Sequence, residues 1–148
     1  MTRTIETSIR IAARPETVWR FLVEGEGLAQ WWGPAEIDAR RGGSLTIRMR
    51  SRGAEAVVRG QILEIEPPHR LVFTMGWDPA PNAPAVAPDA SRVAILLEAD
   101  GAGTLLRVRH SGLPDAIDAD ILQGWKDHLP RLAAAAQPPG GCQDGVAE

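Results

Sequence analysis

The sequence predicts an α+β fold in which a curved antiparallel sheet wraps around a long C-terminal helix, with two short helices near the N-terminus. Period-two apolar residues recur through most of the first 110 residues, which is typical of strands with one solvated face. Helical apolar spacing instead covers residues 115–136. Such a sheet must cover its apolar face, and this amphipathic helix is the only element large enough to do so.

Length and composition are those of one globular domain. The chain has 148 residues, of which 44% are hydrophobic, and we expect one domain over 1–136. Residues 137–148, with few apolar groups, predict a disordered tail. A net charge of −3 gives no reason to expect a nucleic-acid partner, and no apolar run predicts membrane insertion. Without a signal-peptide pattern and with the single Cys142, a cytoplasmic location is the expectation.

The N-terminal elements follow in order. Residues 4–11 alternate as a strand, and Pro15 can begin a helix over 15–23 without losing a hydrogen bond. Gly25 and Gly27 are expected to end it. A second short helix is predicted to carry Leu28, Trp31 and Trp32 and to end at the Gly-Pro pair that follows.

The central strands each present an apolar side to the predicted core. A proline-rich loop is expected over 78–89, and a hairpin turn over 100–103. The inward positions are Leu45, Ile47 and Met49, then Leu71, Phe73, Met75 and Trp77, then Val93, Ile95 and Leu97, and finally Leu106, Val108 and His110.

The last helix is the clearest element. Its apolar residues are Ile117, Ile121, Leu122, Trp125, Leu129, Leu132 and Ala133. Pro130 interrupts the pattern, because proline removes a helical hydrogen bond and leaves the Lys126 carbonyl without its regular partner. We therefore expect a bend at Pro130, or else a helix that ends before it.

Five strings together resemble the SRPBCC (START-like) superfamily, and most closely the bacterial stand-alone relatives of the C-terminal domain of the Hsp90 ATPase activator. They are PETVW at 15–19, QWWGP at 30–34, GQILEIEPP at 60–68, RLVFTM at 70–75 and GW at 124–125. The resemblance covers about residues 5–136. It implies a helix-grip fold, also called START-like or birch-pollen-allergen-like, with a cavity for a small apolar or amphipathic molecule.

The resemblance leaves function open, since this superfamily includes carriers, cyclases and co-chaperone domains. We expect binding of a small hydrophobic or aromatic ligand between sheet and helix, without a cofactor. The alternatives are an enzyme of the polyketide cyclase or aromatase type and a co-chaperone-like protein-binding module. The missing partner domain weakens the co-chaperone alternative, and a homodimer is a further possibility.

Residues expected to face the space between the sheet and the last helix are the candidates for lining the ligand pocket. They are Trp32, Met49, Met75, Trp77, Ile95, His110, Trp125 and Leu129. The competing interpretation is that the tryptophans only fill the core, as buried tryptophans commonly do. His110 is the most notable polar candidate. It would bind a ligand's polar head, would serve as acid or base if the protein is an enzyme, or would be a structural histidine at the rim.

The sequence contains no motif for metal binding, phosphate binding or nucleophilic catalysis. Three dispersed histidines and one cysteine provide no zinc-like spacing, so no metal site is expected. No phosphate-binding loop or nucleophile motif is present, and no catalytic residue is assigned beyond the conditional role of His110. Arg48, Arg50, Arg107 and Arg109 are expected on the outer face, where ion pairs with residues such as Glu98 are commoner than a basic binding stripe.

Overall fold

A computed structural model describes residues 2–51, 54–77, 86–114 and 118–136, with side chains described over 4–48, 57–77, 90–112 and 122–136. Strand β1 precedes two short helices, six further strands and the long helix α3. The elements are β1 (Thr2–Ile11), α1 (Pro15–Val23), α2 (Gly25–Ala29), β2 (Ala35–Ile37), β3 (Ser44–Ser51), β4 (Ala54–Glu66), β5 (Arg70–Trp77), β6 (Val86–Asp100), β7 (Gly103–Pro114) and α3 (Asp118–Ala136). The predicted fold class is confirmed.

The seven strands form one antiparallel sheet in the order β1-β7-β6-β5-β4-β3-β2. Every strand from β2 to β7 pairs with its neighbour in sequence, while β1 joins the far edge beside β7. Register shifts interrupt the pairing between Ile62 and Glu64 on β4 and between Met75 and Trp77 on β5. Such bulges bend a strand and increase its twist, which suits a sheet that curves around a helix.

The concave face carries the core predicted from strand periodicity. Except for Trp77, the predicted inward residues with described side chains are almost completely buried. They include Leu45, Ile47, Leu71, Phe73, Met75, Val93, Ile95, Leu97, Leu106, Val108 and His110. Trp125, Leu129 and Leu132 of α3 are buried as well. The hydrogen bond from Trp125 to His110 and the contacts of α3 with β1 place α3 against this face.

The second short helix begins and ends earlier in the sequence than predicted. Helix α1 ends at Val23, as predicted, but Gly25 and Gly27 belong to α2, which ends at Ala29, so Trp31 and Trp32 fall in the turns that follow. A Cβ on Gly27 would lie 2.6 Å from the backbone of both Arg20 and Phe21. Glycine is therefore required here by the close approach of α2 to α1 rather than by helix termination.

The proline-rich segment is shorter than predicted. Strand β6 begins at Val86, so the expectation of an irregular loop is wrong for residues 86–89. Pairing of Val86 with Trp77 supplies backbone hydrogen bonds that outweigh the loop composition. Residues 78–85 lie outside the described residues, as do the predicted start of the last helix at 115–117 and the predicted tail at 137–148.

Helix α3 continues through Pro130 to Ala136, so the helix does not end before this proline. Pro130 is exposed, which directs its ring away from the sheet. Since proline has no N–H, the carbonyl of Lys126 still lacks its regular helical partner. The helix contacts β1 and α1, which cover its flank.

The two leucines of α3 that periodicity marks as core are not equivalent. Leu129 is 2% exposed, whereas Leu122 is only partly buried. We expect Leu129→Ala to lower the free energy of unfolding by about 1–2 kcal/mol more than Leu122→Ala, because a larger buried volume is lost. Urea denaturation of both variants measures this. Equal losses would contradict the orientation of α3 on the sheet.

Candidate functional site

The predicted lining residues meet between the concave face and α3. Of the eight, six are buried: Trp32, Met75, Ile95, His110, Trp125 and Leu129. Trp77 lies at the end of β5 and is partly buried, and the side chain of Met49 lies outside the described residues. The structure therefore brings most of the candidate set into one region, but in a tightly packed arrangement.

An aromatic cluster joins α3 to the loop after α2 and to β5. The ring centroids of Trp32 lie 5.2 Å from Trp31, 5.2 Å from Trp125 and 6.3 Å from Phe73, all in tilted orientations. These separations are those of stabilising aromatic pairs. The indole N–H of Trp31 also donates to the Phe21 carbonyl at 2.8 Å, which ties the cluster to α1. Trp31, Trp32 and Trp125 thus serve as core, as the competing interpretation held.

His110 occupies the centre of a directed chain of hydrogen bonds. The Trp125 indole N–H donates to His110 Nδ1 at 3.1 Å, so this nitrogen carries no proton. The proton of the neutral ring is therefore on Nε2, which lies 2.8 Å from Ser91 Oγ and donates to it. Ser91 in turn donates its hydroxyl proton to the Met75 carbonyl at 2.5 Å. The chain links α3 to β7, β6 and β5.

These hydrogen bonds can all form only when the His110 imidazole is neutral. His110 is 0% exposed, and burial lowers its pKa from 6.5 to about 4. A proton added at Nδ1 would face the Trp125 N–H, so two donors would oppose each other. His110 is therefore uncharged near neutral pH, with both ring nitrogens engaged by protein groups.

Ser91 is the functional neighbour that the sequence interpretation missed. It is 2% exposed and pairs with Met75 in the β5–β6 register. The signal was present, because Ser91 shares the inward parity of Val93 and Ile95 on the same strand. The prediction placed a loop up to residue 89 and the first inward residue of the next strand at Val93, whereas β6 begins at Val86 and already includes Ser91.

Arginines on the outer face of the sheet form ion pairs with nearby glutamates, as the sequence predicted. Arg107 pairs with Glu98 at 3.3 Å and Arg109 with Glu6 at 3.2 Å, all well exposed. Arg48 is exposed, and the side chain of Arg50 lies outside the described residues. An open surface depression of about 640 Å³ lies on this side, lined by Glu66, His69, Arg70, Leu96, Leu97, Glu98, Ala99 and Arg107. It includes none of the predicted lining residues.

The described residues contain neither a cluster of metal ligands nor a membrane-spanning helix. Within residues 2–51, 54–77, 86–114 and 118–136, no three histidine, cysteine or acidic side chains gather as metal ligands. No helix in the same part of the chain is long and apolar enough to cross a membrane.

Solved structures share this architecture. Protein CV1439 from Chromobacterium violaceum is 28% identical, with a TM-score of 0.77 over 91% of this chain and 97% of that one. CalU16 from Micromonospora echinospora is 26% identical, with a TM-score of 0.70 over 91% of this chain and 76% of that one. The Aha1 dimer from Colwellia psychrerythraea, at 23% identity, has a TM-score of 0.70 over 91% of this chain and 96% of that one. It shows similarity of fold alone.

No curated protein matches this sequence. The family model described as "Activator of Hsp90 ATPase homolog 1-like protein" matches residues 12–137, which include α1, the sheet from β2 to β7 and the whole of α3. The resemblance carried by the five strings is thereby confirmed over most of the chain. The protein belongs to the family of Activator of Hsp90 ATPase homolog 1-like proteins.

Proposed function

We propose that the protein binds a small hydrophobic or aromatic ligand between the concave face of the sheet and α3. The observation that carries the proposal is the environment of Trp77. Its cross-strand partner Val58 is 2% exposed on the concave face, and paired residues share a face of the sheet. Trp77 nevertheless remains only partly buried, whereas the other four tryptophans are at most 7% exposed.

A partly accessible indole on the apolar face of a sheet is the type of wall that small-molecule sites provide. Trp77 lies at the end of β5, and no ring contact joins it to a described aromatic residue, whereas Trp32 and Trp125 pack against each other in the core. The proposed ligand therefore contacts Trp77 rather than replacing the packed tryptophans. Of the predicted lining residues, Trp77 is the direct contact in this proposal, whereas Trp32 and Trp125 are part of the hydrophobic core.

The geometry argues against the enzyme alternative in the form that uses His110. A general base needs a free nitrogen within reach of the substrate proton. Here Nδ1 accepts from Trp125, Nε2 donates to Ser91, and the ring is 0% exposed. Ser91 is not activated as a nucleophile either, because it receives a proton from the imidazole and donates its own to a carbonyl.

Thermal denaturation with naphthalene as the probe tests the proposal. Binding to the folded state should raise the Tm by mass action, with a shift that grows with probe concentration. Trp77→Ala should weaken binding about tenfold by removing one wall of the site. The matched control is Leu96→Ala, which removes an exposed apolar side chain from the opposite face of the sheet. No stabilisation by naphthalene or by larger apolar probes would defeat the proposal and favour a protein-binding role.

We also propose that the protein forms a homodimer and that it is located in the cytoplasm. The homodimer is supported by the dimeric state of the Colwellia psychrerythraea structure, which has the same fold. Light scattering after size-exclusion chromatography distinguishes 15.9 kDa monomers from dimers.

A further inference from the structure

Gly124 occupies the middle of α3, where glycine is less favourable than alanine. No positive backbone angle or close approach explains it. A Cβ built at this position meets no atom of a described residue within 4 Å, in contrast to the crowded Gly27. No described residue therefore fills the space beside Gly124, although the next residue, Trp125, is 4% exposed and packed against the sheet.

His128 lies one helical turn further along, on the same side of α3 as Gly124. It is 9% exposed, and its Nδ1 lies 2.9 Å from the Gly124 carbonyl. A carbonyl only accepts, so Nδ1 carries the proton and donates it. Burial, the largest influence, lowers the pKa of His128 below its usual value, which favours the neutral ring.

The neutral ring with its proton on Nδ1 leaves Nε2 as a hydrogen-bond acceptor. No described residue donates to Nε2. An unpaired acceptor on a buried side chain is costly unless something donates to it. Among the described residues, His128 Nε2 is therefore an acceptor without a donor, and it lies close to the position on α3 where Gly124 has no side chain.

We propose that Gly124 and His128 form a polar subsite for the ligand, in which a neutral ligand hydroxyl donates to His128 Nε2 while the ligand's apolar body lies against the helix at Gly124. This inference rests on the proposed function and narrows it to a class of ligand. An ionised carboxylate is disfavoured, because its lone pairs would face the lone pair of Nε2. The subsite therefore selects neutral phenols or alcohols over both hydrocarbons and carboxylic acids.

Three probes with the same ring system separate these classes: 2-naphthol, naphthalene and 2-naphthoate, measured at pH 7.5 by isothermal titration calorimetry. The wild-type protein should bind 2-naphthol about tenfold more tightly than naphthalene, as one neutral hydrogen bond permits, and 2-naphthoate most weakly. His128→Leu should bring the affinities for 2-naphthol and naphthalene to within about twofold.

Gly124→Ala is the second variant, and it should fold because alanine is the better helix former. Its methyl group would enter the space that the ligand occupies, so all probes should bind about tenfold more weakly while the Tm without ligand rises. Lys126→Ala, an exposed position on the same helix, serves as the control and should leave both affinity and preference unchanged.

The outcomes distinguish the subsite from the proposed function. Binding of all three probes with no preference for 2-naphthol, or a preference that survives in His128→Leu, would overturn the subsite and leave ligand binding intact. Unchanged affinity in Gly124→Ala would also overturn it. Failure of the wild-type protein to bind any of the probes would overturn both.

Discussion

Acidification from pH 7 to pH 4 should reduce the free energy of unfolding by about 3 kcal/mol through His110 alone. Burial depresses the pKa of this residue to about 4 in the folded protein, compared with 6.5 in the unfolded chain. Between these values the unfolded state binds more protons than the folded state. The stability contributed by His110 is therefore present above pH 6.5 and is lost as the pH falls toward 4.

Urea denaturation of the wild-type protein and His110→Gln at pH 7, 5.5 and 4 measures this contribution. Glutamine is neutral throughout this range and can both accept from Trp125 and donate to Ser91. His128, whose pKa is also lowered by burial, is present in both proteins, so its effect cancels in the difference. The wild-type protein should lose stability more steeply than the variant, and parallel losses would show that His110 is not held neutral by burial.

Trp125→Ala should be the most destabilising substitution in the candidate site, at about 3–5 kcal/mol. The side chain is 4% exposed, contacts Trp32 at 5.2 Å between ring centroids and donates the hydrogen bond that fixes the tautomer of His110. Its loss removes a large buried ring and leaves His110 Nδ1 without a donor.

Trp125→Phe separates these two effects. Phenylalanine keeps an aromatic ring in the cluster but has no N–H, so a buried acceptor is left unpaired at a cost of about 1–3 kcal/mol. Trp19→Phe is the matched control, because the Trp19 indole is equally buried but forms no hydrogen bond with a described residue. If chemical denaturation shows equal losses in the two phenylalanine variants, the Trp125–His110 bond contributes nothing to stability.

The amino-acid sequence by itself determined the elements whose periodicity is strong. Alternation at Leu71, Phe73 and Met75, and again at Leu106 and Val108, predicted both the strands and the face that is buried. Helix α1 was predicted with its observed bounds, because Pro15 marks its start and its apolar residues follow at helical spacing. Such patterns are local and can be recognised without knowing what packs against them.

Only the tertiary structure decided the roles of the polar residues and glycines. Ser91 and His110 are 19 residues apart and interact because β6 and β7 pair in one particular register. Gly27 is crowded by the backbone of α1, while no described residue lies within 4 Å of a Cβ placed on Gly124, although both glycines lie within helices. Hydrogen-bond partners and unfilled space depend on elements distant in the chain, and no local pattern of side chains encodes them.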